Sequence, residues 1–211
     1  MSVHPWSAAV LGTRFAELIC VALNAAPTTL DPEATRRHIR AALDAGATRD
    51  DIVFVTKCAS VVSVHALSVA APELLAEAGP AHNQAEQVPT PWCDAMHNNG
   101  QWNAAWDPFL ELDAEWTELF MAVGIDIYST DLFSPKEIEL LSIALDASVN
   151  HLYAPGIRRH IRTALDLGAS TAEIAAVLQL CVSQGMQSCN VAIPILDDEL
   201  SRKEKLSTEE I

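Results

Sequence analysis

The chain has 211 residues, half of them hydrophobic, with 13 Lys and Arg against 28 Asp and Glu and a formal charge of −15. That length and composition can enclose a sizeable core, while the acidic balance excludes a basic face for nucleic acid or an anionic membrane and leaves small molecules or proteins as partners. Met1-Ser2-Val3-His4-Pro5-Trp6 lacks a basic segment followed by an apolar stretch, and no uninterrupted apolar run reaches bilayer length, so the expectation is a cytoplasmic protein with no membrane partner.

The first predicted helix covers residues 12–25, with Phe15, Leu18, Ile19 and Ala22 at helical spacing. A second opens at Asp31-Pro32, an N-cap followed by proline at the first helical position, and stops at Gly46, a residue suited to the left-handed C-terminal position. The third starts at Thr48, where Thr48-x-x-Asp51 resembles a capping box, and runs apolar to a breaker at Pro72. Residues 79–112 are of another kind: Gly, Pro, Asn and Gln with Trp92, Trp102, Trp106 and Phe109 embedded. A plain linker does not need that much aromatic surface, which predicts a packed strap, either a lid over a site or a fastening to the body. A helix from Asp113 to about Val123 follows.

The earlier succession then returns. A helix begins at Ser134-Pro135, a second stops at Gly168, and a third starts at the capping box Ser170-x-x-Glu173 and runs to Pro194, before a charged tail at 201–211 that is expected to fray. The sequence itself repeats. Arg36-Arg37-His38-Ile39-Arg40 recurs as Arg158-Arg159-His160-Ile161-Arg162, and the register holds without a gap from Glu17/Glu139 to Pro72/Pro194 at a displacement of 122. This predicts a tandem duplication of a three-helix unit, residues 1–78 and 113–211 around the strap, forming an intrachain pseudo-dimer. No βαβ alternation, Gly-rich phosphate loop or period-2 strand series occurs, so the predicted class is all-α.

Five cysteines, odd in number and without a C-x-x-C, indicate neither a disulfide framework nor a zinc knuckle; Cys93 is the one expected at the surface. No H-x-x-x-H or H-E-x-x-H pair occurs among the seven histidines, and no metal is expected. His38 has the small Ala41 and Ala42 beside it, leaving room for a ligand or a close helix contact; its imidazole can serve as an acid/base group or a structural one. His65 lies among Val61, Val62, Leu67 and Val69, where a polar group needs a partner or a ligand, and its match in the second repeat is Gln187. His151 and Tyr153 occur only in the second repeat, opposite Thr29 and Asp31. The copies have thus diverged as if one composite site, or one live and one degenerate site, remains per chain. Arg37 and Arg159 point away from the apolar stripe and are expected to reach a ligand only at an oligomer interface.

The block His151-Leu152-Tyr153-Ala154-Pro155-Gly156-Ile157-Arg158-Arg159-His160-Ile161-Arg162, with Ala164-Leu165, Gly168-Ala169, Glu173-Ile174 and the run to Gly185-Met186-Gln187-Ser188-Cys189, resembles the carboxymuconolactone decarboxylase family, which has the alkylhydroperoxidase-D-like fold. The resemblance covers both repeats and omits the strap. It implies an all-helical unit in trimers or hexamers, hence a homo-oligomer, with sites between subunits or repeats. The C-x-x-C of the peroxidase branch is replaced by Asp31 and Ala34 before His38, and by Tyr153 and Gly156 before His160, which excludes peroxide reduction by a dithiol.

The implied activity is a lyase, needing no cofactor, on a small carboxylated lactone or enol-type acid. His160 or His38 would donate the proton, Glu139 or Glu17 would orient it, and His65 is a further acid/base candidate. Tyr153, His151, Arg159, Arg37, Gln187, Trp102 and Trp106 are the candidate substrate contacts, with an arginine as carboxylate anchor. The alternatives are another acid/base enzyme, such as a small-molecule hydrolase or isomerase, and a non-catalytic oligomeric binding or scaffold protein.

Overall fold

Residues 5–79, 88–100 and 102–209 are described by a computed structural model, and every regular element among them is helical. Residues 80–87 and 101 of the strap, with His82, and 210–211 of the tail lie outside the described residues. α1 (Pro5–Leu11), α2 (Thr13–Ala25), α3 (Pro32–Asp44) and α4 (Arg49–Val61) lead to a 3-10 turn at Val62–Val64 and then α5 (His65–Ala78). The strap folds as α6 (Pro91–Asn98), a 3-10 turn at Ala104–Trp106 and α7 (Asp107–Leu112), followed by α8 (Ala114–Tyr128). α9 (Pro135–Asp146), α10 (Ala154–Asp166), α11 (Thr171–Ser183), a 3-10 turn at Gln184–Met186 and α12 (Gln187–Glu209) repeat the order of α2 to α5.

Local chemistry sets the ends. The Asp31 carboxylate accepts the backbone N–H of Glu33 and Ala34 at the start of α3, and reciprocal capping boxes close α4 (Thr48, Asp51), α9 (Ser134, Glu137) and α11 (Ser170, Glu173). α10 has no capping side chain; Tyr153 occupies the place where α3 has Asp31.

α2 and α9 form the centre. Leu18, Ile19 and Leu23 of α2 and Leu140, Leu141 and Ile143 of α9 are fully buried in one apolar cluster that also takes in α4 and α11. Each such side chain stabilises the fold by roughly 1.5–3 kcal/mol relative to exposure. A second cluster, Val64, Ala71, Cys93, Met96, Phe109 and Met121, fastens the strap and α8 to α5.

Several expectations change. The third helix of each repeat does not run unbroken to its proline: the 3-10 turns at 62–64 and 184–186 redirect it earlier. Pro72 and Pro194 lie inside α5 and α12, both exposed, and each removes one backbone bond of its helix. Cys93 is 0 % exposed, because the backbone N–H groups of Trp92 and Cys93 donate to the Glu118 carboxylate and draw α6 against α8. The tail is helical to Glu209 as part of α12. By length and composition alone, the helical stretch Arg49–Ala78 is long and apolar enough to cross a membrane, although no uninterrupted apolar run reaches that length; Val55, Cys58 and Ala59 on it belong to the main core. α12 leaves Val191, Ile193, Ile195, Leu196 and Leu200 more than half exposed, whereas its counterpart α5 packs on α7.

Candidate active site

α9, with Glu139 in its first half and Asp146 at its end, the connection that follows it with His151 and Tyr153, and the first turns of α10 with Arg159 and His160 form one cluster, to which the start of α5 adds His65 from the other repeat. His160 and Glu139 are buried, and His160 Nδ1 lies 2.6 Å from Glu139 Oε2. Arg159 Nη2 lies 2.9 Å from His160 Nε2. A guanidinium can only donate, so Nε2 holds the lone pair and Nδ1–H donates to Glu139. Burial lowers the pKa of His160, and the bond to Glu139 offsets only part of that, so the imidazole is neutral at physiological pH.

Asp146 is 2 % exposed. Its Oδ2 is 3.7 Å from His160 Nε2 and has no hydrogen-bond partner; its Oδ1 is 3.5 Å from His65 Nδ1, also beyond good hydrogen-bond distance. Burial raises this carboxyl from 3.8 to about 7, with Arg159 opposing and Glu139 reinforcing the shift. Gly156 makes the position possible, since a Cβ there would overlap the Asp146 carboxylate. The His65 ring stacks on Tyr153 with centroids 3.9 Å apart, and His151, its centroid 5.0 Å away, meets the His65 ring through a 2.8 Å contact between His65 Nδ1 and His151 Nε2. Burial first, and then the positive charge that His151, His160 and Arg159 can carry, push His65 down to about 3.

These groups bound two spaces. An inner cavity of about 90 Å³ is lined by the polar His65, Asp146, Arg159 and His160 and by apolar side chains that include Met96, Trp106, Phe120 and Met121. An open groove of about 710 Å³ runs outside, past His65, His151, Tyr153 and Val69. The strap therefore covers the cavity through Met96 and Trp106 while also being fastened to α5. Trp102, a candidate substrate contact, is not brought to the cavity: it stacks on His97 and donates its Nε1–H to Asp107.

The matched positions of the first repeat form a counterpart. His38 Nδ1 lies 2.7 Å from Glu17 Oε2, but Asn24 stands at the position of Asp146, Gln187 at that of His65, Thr29 at that of His151 and Asp31 at that of Tyr153. Arg37 donates to Gln187 at 3.1 Å, and Gln187 donates to Asn24 at 3.4 Å. Gln187 and Arg37 therefore lie in this counterpart, apart from the inner cavity and bonded to each other. The expectation that an arginine needs an oligomer interface to reach a ligand is corrected for Arg159, which lines the inner cavity because its long side chain bends inward to the buried His160; Arg37 bonds the half-buried Gln187 instead. Asp146 is the residue that sequence reasoning missed. Its signal was the Asp146/Asn24 mismatch, an acid replaced by its neutral isostere at matched positions.

Fold and site together define an all-helical protein with a buried histidine–carboxylate pair and an arginine in a small, strap-covered cavity between repeats. Residues 114–198 match the carboxymuconolactone decarboxylase family. A crystal structure from Burkholderia xenovorans LB400, of a candidate gamma-carboxymuconolactone decarboxylase subunit, is similar at TM-score 0.79 and 31% identity, covering 90% of this chain and 79% of that one. No protein of curated function matches. The chain belongs to the carboxymuconolactone decarboxylase family.

Because folded Asp146 keeps its proton up to about pH 7, against 3.8 ordinarily, its stabilising contribution is full at low pH and is lost as pH rises through 7. Asp146→Asn removes that loss and copies Asn24 of the first repeat. In denaturant unfolding the variant should gain on the parent by roughly 2–4 kcal/mol between about pH 4 and pH 8. A difference that stays flat over that range contradicts the assignment.

Proposed function

We propose that the protein is a lyase that decarboxylates a small carboxylated lactone or enol-type acid, with the composite site around His160 as its only live centre. The observation that carries this reading is the arrangement of His160 between Glu139 and Arg159, with the buried Asp146 carboxyl, which burial pushes up to about 7, 3.7 Å from its Nε2. The family and the decarboxylase-like relative support the reaction class.

The substrate carboxylate draws the Arg159 guanidinium off Nε2, since a charge-assisted, two-pronged pair outcompetes a single bond to a neutral imidazole. The carbon–carbon bond to that carboxylate breaks, carbon dioxide leaves, and the electron pair passes into the conjugated carbonyl. Asp146 supplies its proton to the freed Nε2, 3.7 Å away, and His160 delivers it to carbon while Glu139 stabilises the transient imidazolium. Solvent reprotonates Asp146, so each turnover consumes one proton. The apolar walls keep bulk water from the enolate-like charge. The substrate is its own electron sink, and the carbon–carbon step needs no cofactor.

With a carboxymuconolactone as substrate, His160→Ala and Glu139→Gln should each lower kcat by roughly 10²–10⁴-fold, while His38→Gln, in the counterpart that lacks the acid, should stay within a few-fold. Equal losses for the His160 and His38 variants, in folded protein, would overturn the one-centre reading.

We also propose a homo-oligomer in which α12 packs against a second copy of the chain, supported by the apolar face it leaves exposed. Sedimentation equilibrium should give a mass above the monomer, reduced by Ile195→Lys with Leu196→Lys; a monomeric parent would refute it.

A further inference from the structure

The His65, Asp146 and His151 side chains have a use that the lyase chemistry does not exhaust. One ligand-type atom from each, His65 Nδ1, an Asp146 carboxylate oxygen and His151 Nε2, lies within 4.8 Å of the others. The three come from three elements: the start of α5, the end of α9 and the connection before α10. His65 Nδ1 and His151 Nε2 face each other at 2.8 Å, and His65 Nδ1 is 3.5 Å from Asp146 Oδ1. Two ligands at the usual metal distance of about 2.0–2.2 Å stand roughly 3 Å apart, so small rotamer changes bring all three onto one centre.

From this geometry we propose that His65, Asp146 and His151 bind one divalent first-row transition metal ion per chain. Two imidazoles and a carboxylate suit zinc, iron, cobalt or nickel better than magnesium or calcium, which prefer all-oxygen shells. The Asp146 side chain is 3% exposed, with Oδ1 turned to His65 at 3.5 Å while Oδ2 lies 3.7 Å from His160 Nε2, so the carboxylate offers the ion Oδ1. The groove of about 710 Å³ lined by His65 and His151 is the entry path and leaves the outer positions of the ion to water or a ligand oxygen. Asp146 and Glu139 favour the extra positive charge, and Arg159 opposes it. Once on the ion, Asp146 no longer holds the proton that the lyase step uses, so the metal-bound form is a second state of the site and not a requirement of the first.

The test titrates the metal-stripped full chain with Co(II), read by its ligand-field absorbance, and with Zn(II), read by calorimetry, both without substrate. One ion per chain is expected, with affinity at least 10-fold weaker in each of His65→Ala and His151→Ala and unchanged in His97→Ala. His151 is partly exposed on a connection, so its variant reports binding even if the His65 variant fails to fold. No binding by the parent, or binding retained in the His151 variant, overturns the proposal. Because substrate is absent, that failure leaves the lyase reading standing, and loss of the lyase reading leaves the metal measurement intact.

Discussion

One imidazole held between an acid and a base sets the character of this molecule. Glu139 accepts the hydrogen bond of His160 Nδ1–H, and Arg159 donates to the lone pair of Nε2. The two bonds decide the tautomer, while burial and the charge of Arg159 keep the ring neutral against the pull of Glu139. A neutral ring next to a guanidinium is a resting state that a negatively charged ligand disturbs at once, because the ligand and Nε2 compete for the same donor. The burial that fixes His160 also drives Asp146 towards neutrality and prevents His65 from charging. Desolvation is thus the common cause of three perturbed groups within a few ångströms, which is how a site built of ordinary side chains can hold and move a proton near physiological pH.

The two repeats supply one such place. Both keep the glutamate–histidine pair, and the pair alone is a structural device that ties the first helix of the repeat to the second. What differs lies around it. Asp146, His65, His151 and Tyr153 surround His160, while Asn24, Gln187, Thr29 and Asp31 stand at the corresponding positions near His38. The neutral amides of the counterpart bond to one another and to Arg37, and no acid stands there where Asp146 stands beside His160. Crossing the chain is essential to the composite site, since His65 belongs to the first repeat and its stacking partner Tyr153 to the second. Asp31 caps α3; Tyr153 at the matched position leaves α10 uncapped and frees its first turn, with Gly156, to receive Asp146.

The helices and their ends were legible in the sequence because capping boxes, proline at the first helical position and apolar spacing are local signals, and local hydrogen bonds decided them here. The matched 21-residue spacing of Glu17 to His38 and of Glu139 to His160 was legible too, and the contacts exist. Asp146 was hidden because an acid at a helix end reads as an ordinary surface charge until its neighbours bury it. The His65, Asp146 and His151 cluster escaped the spacing rules because its members are far apart in the chain. Arg159 reads as outward-facing in the sequence because the helical wheel locates a Cα and not the end of a long side chain. Cys93 was assigned to the surface because nothing local announces that Glu118, 25 residues on, will take its backbone N–H.

The state of His160 is open to direct observation. In ¹⁵N-histidine NMR of the full chain, the nitrogen shifts of His160, assigned by His160→Gln, should show a neutral ring protonated at Nδ1 at neutral pH, with any titration below the ordinary 6.5. An imidazolium that persists above that value, or a proton on Nε2, would contradict the arrangement on which the site depends.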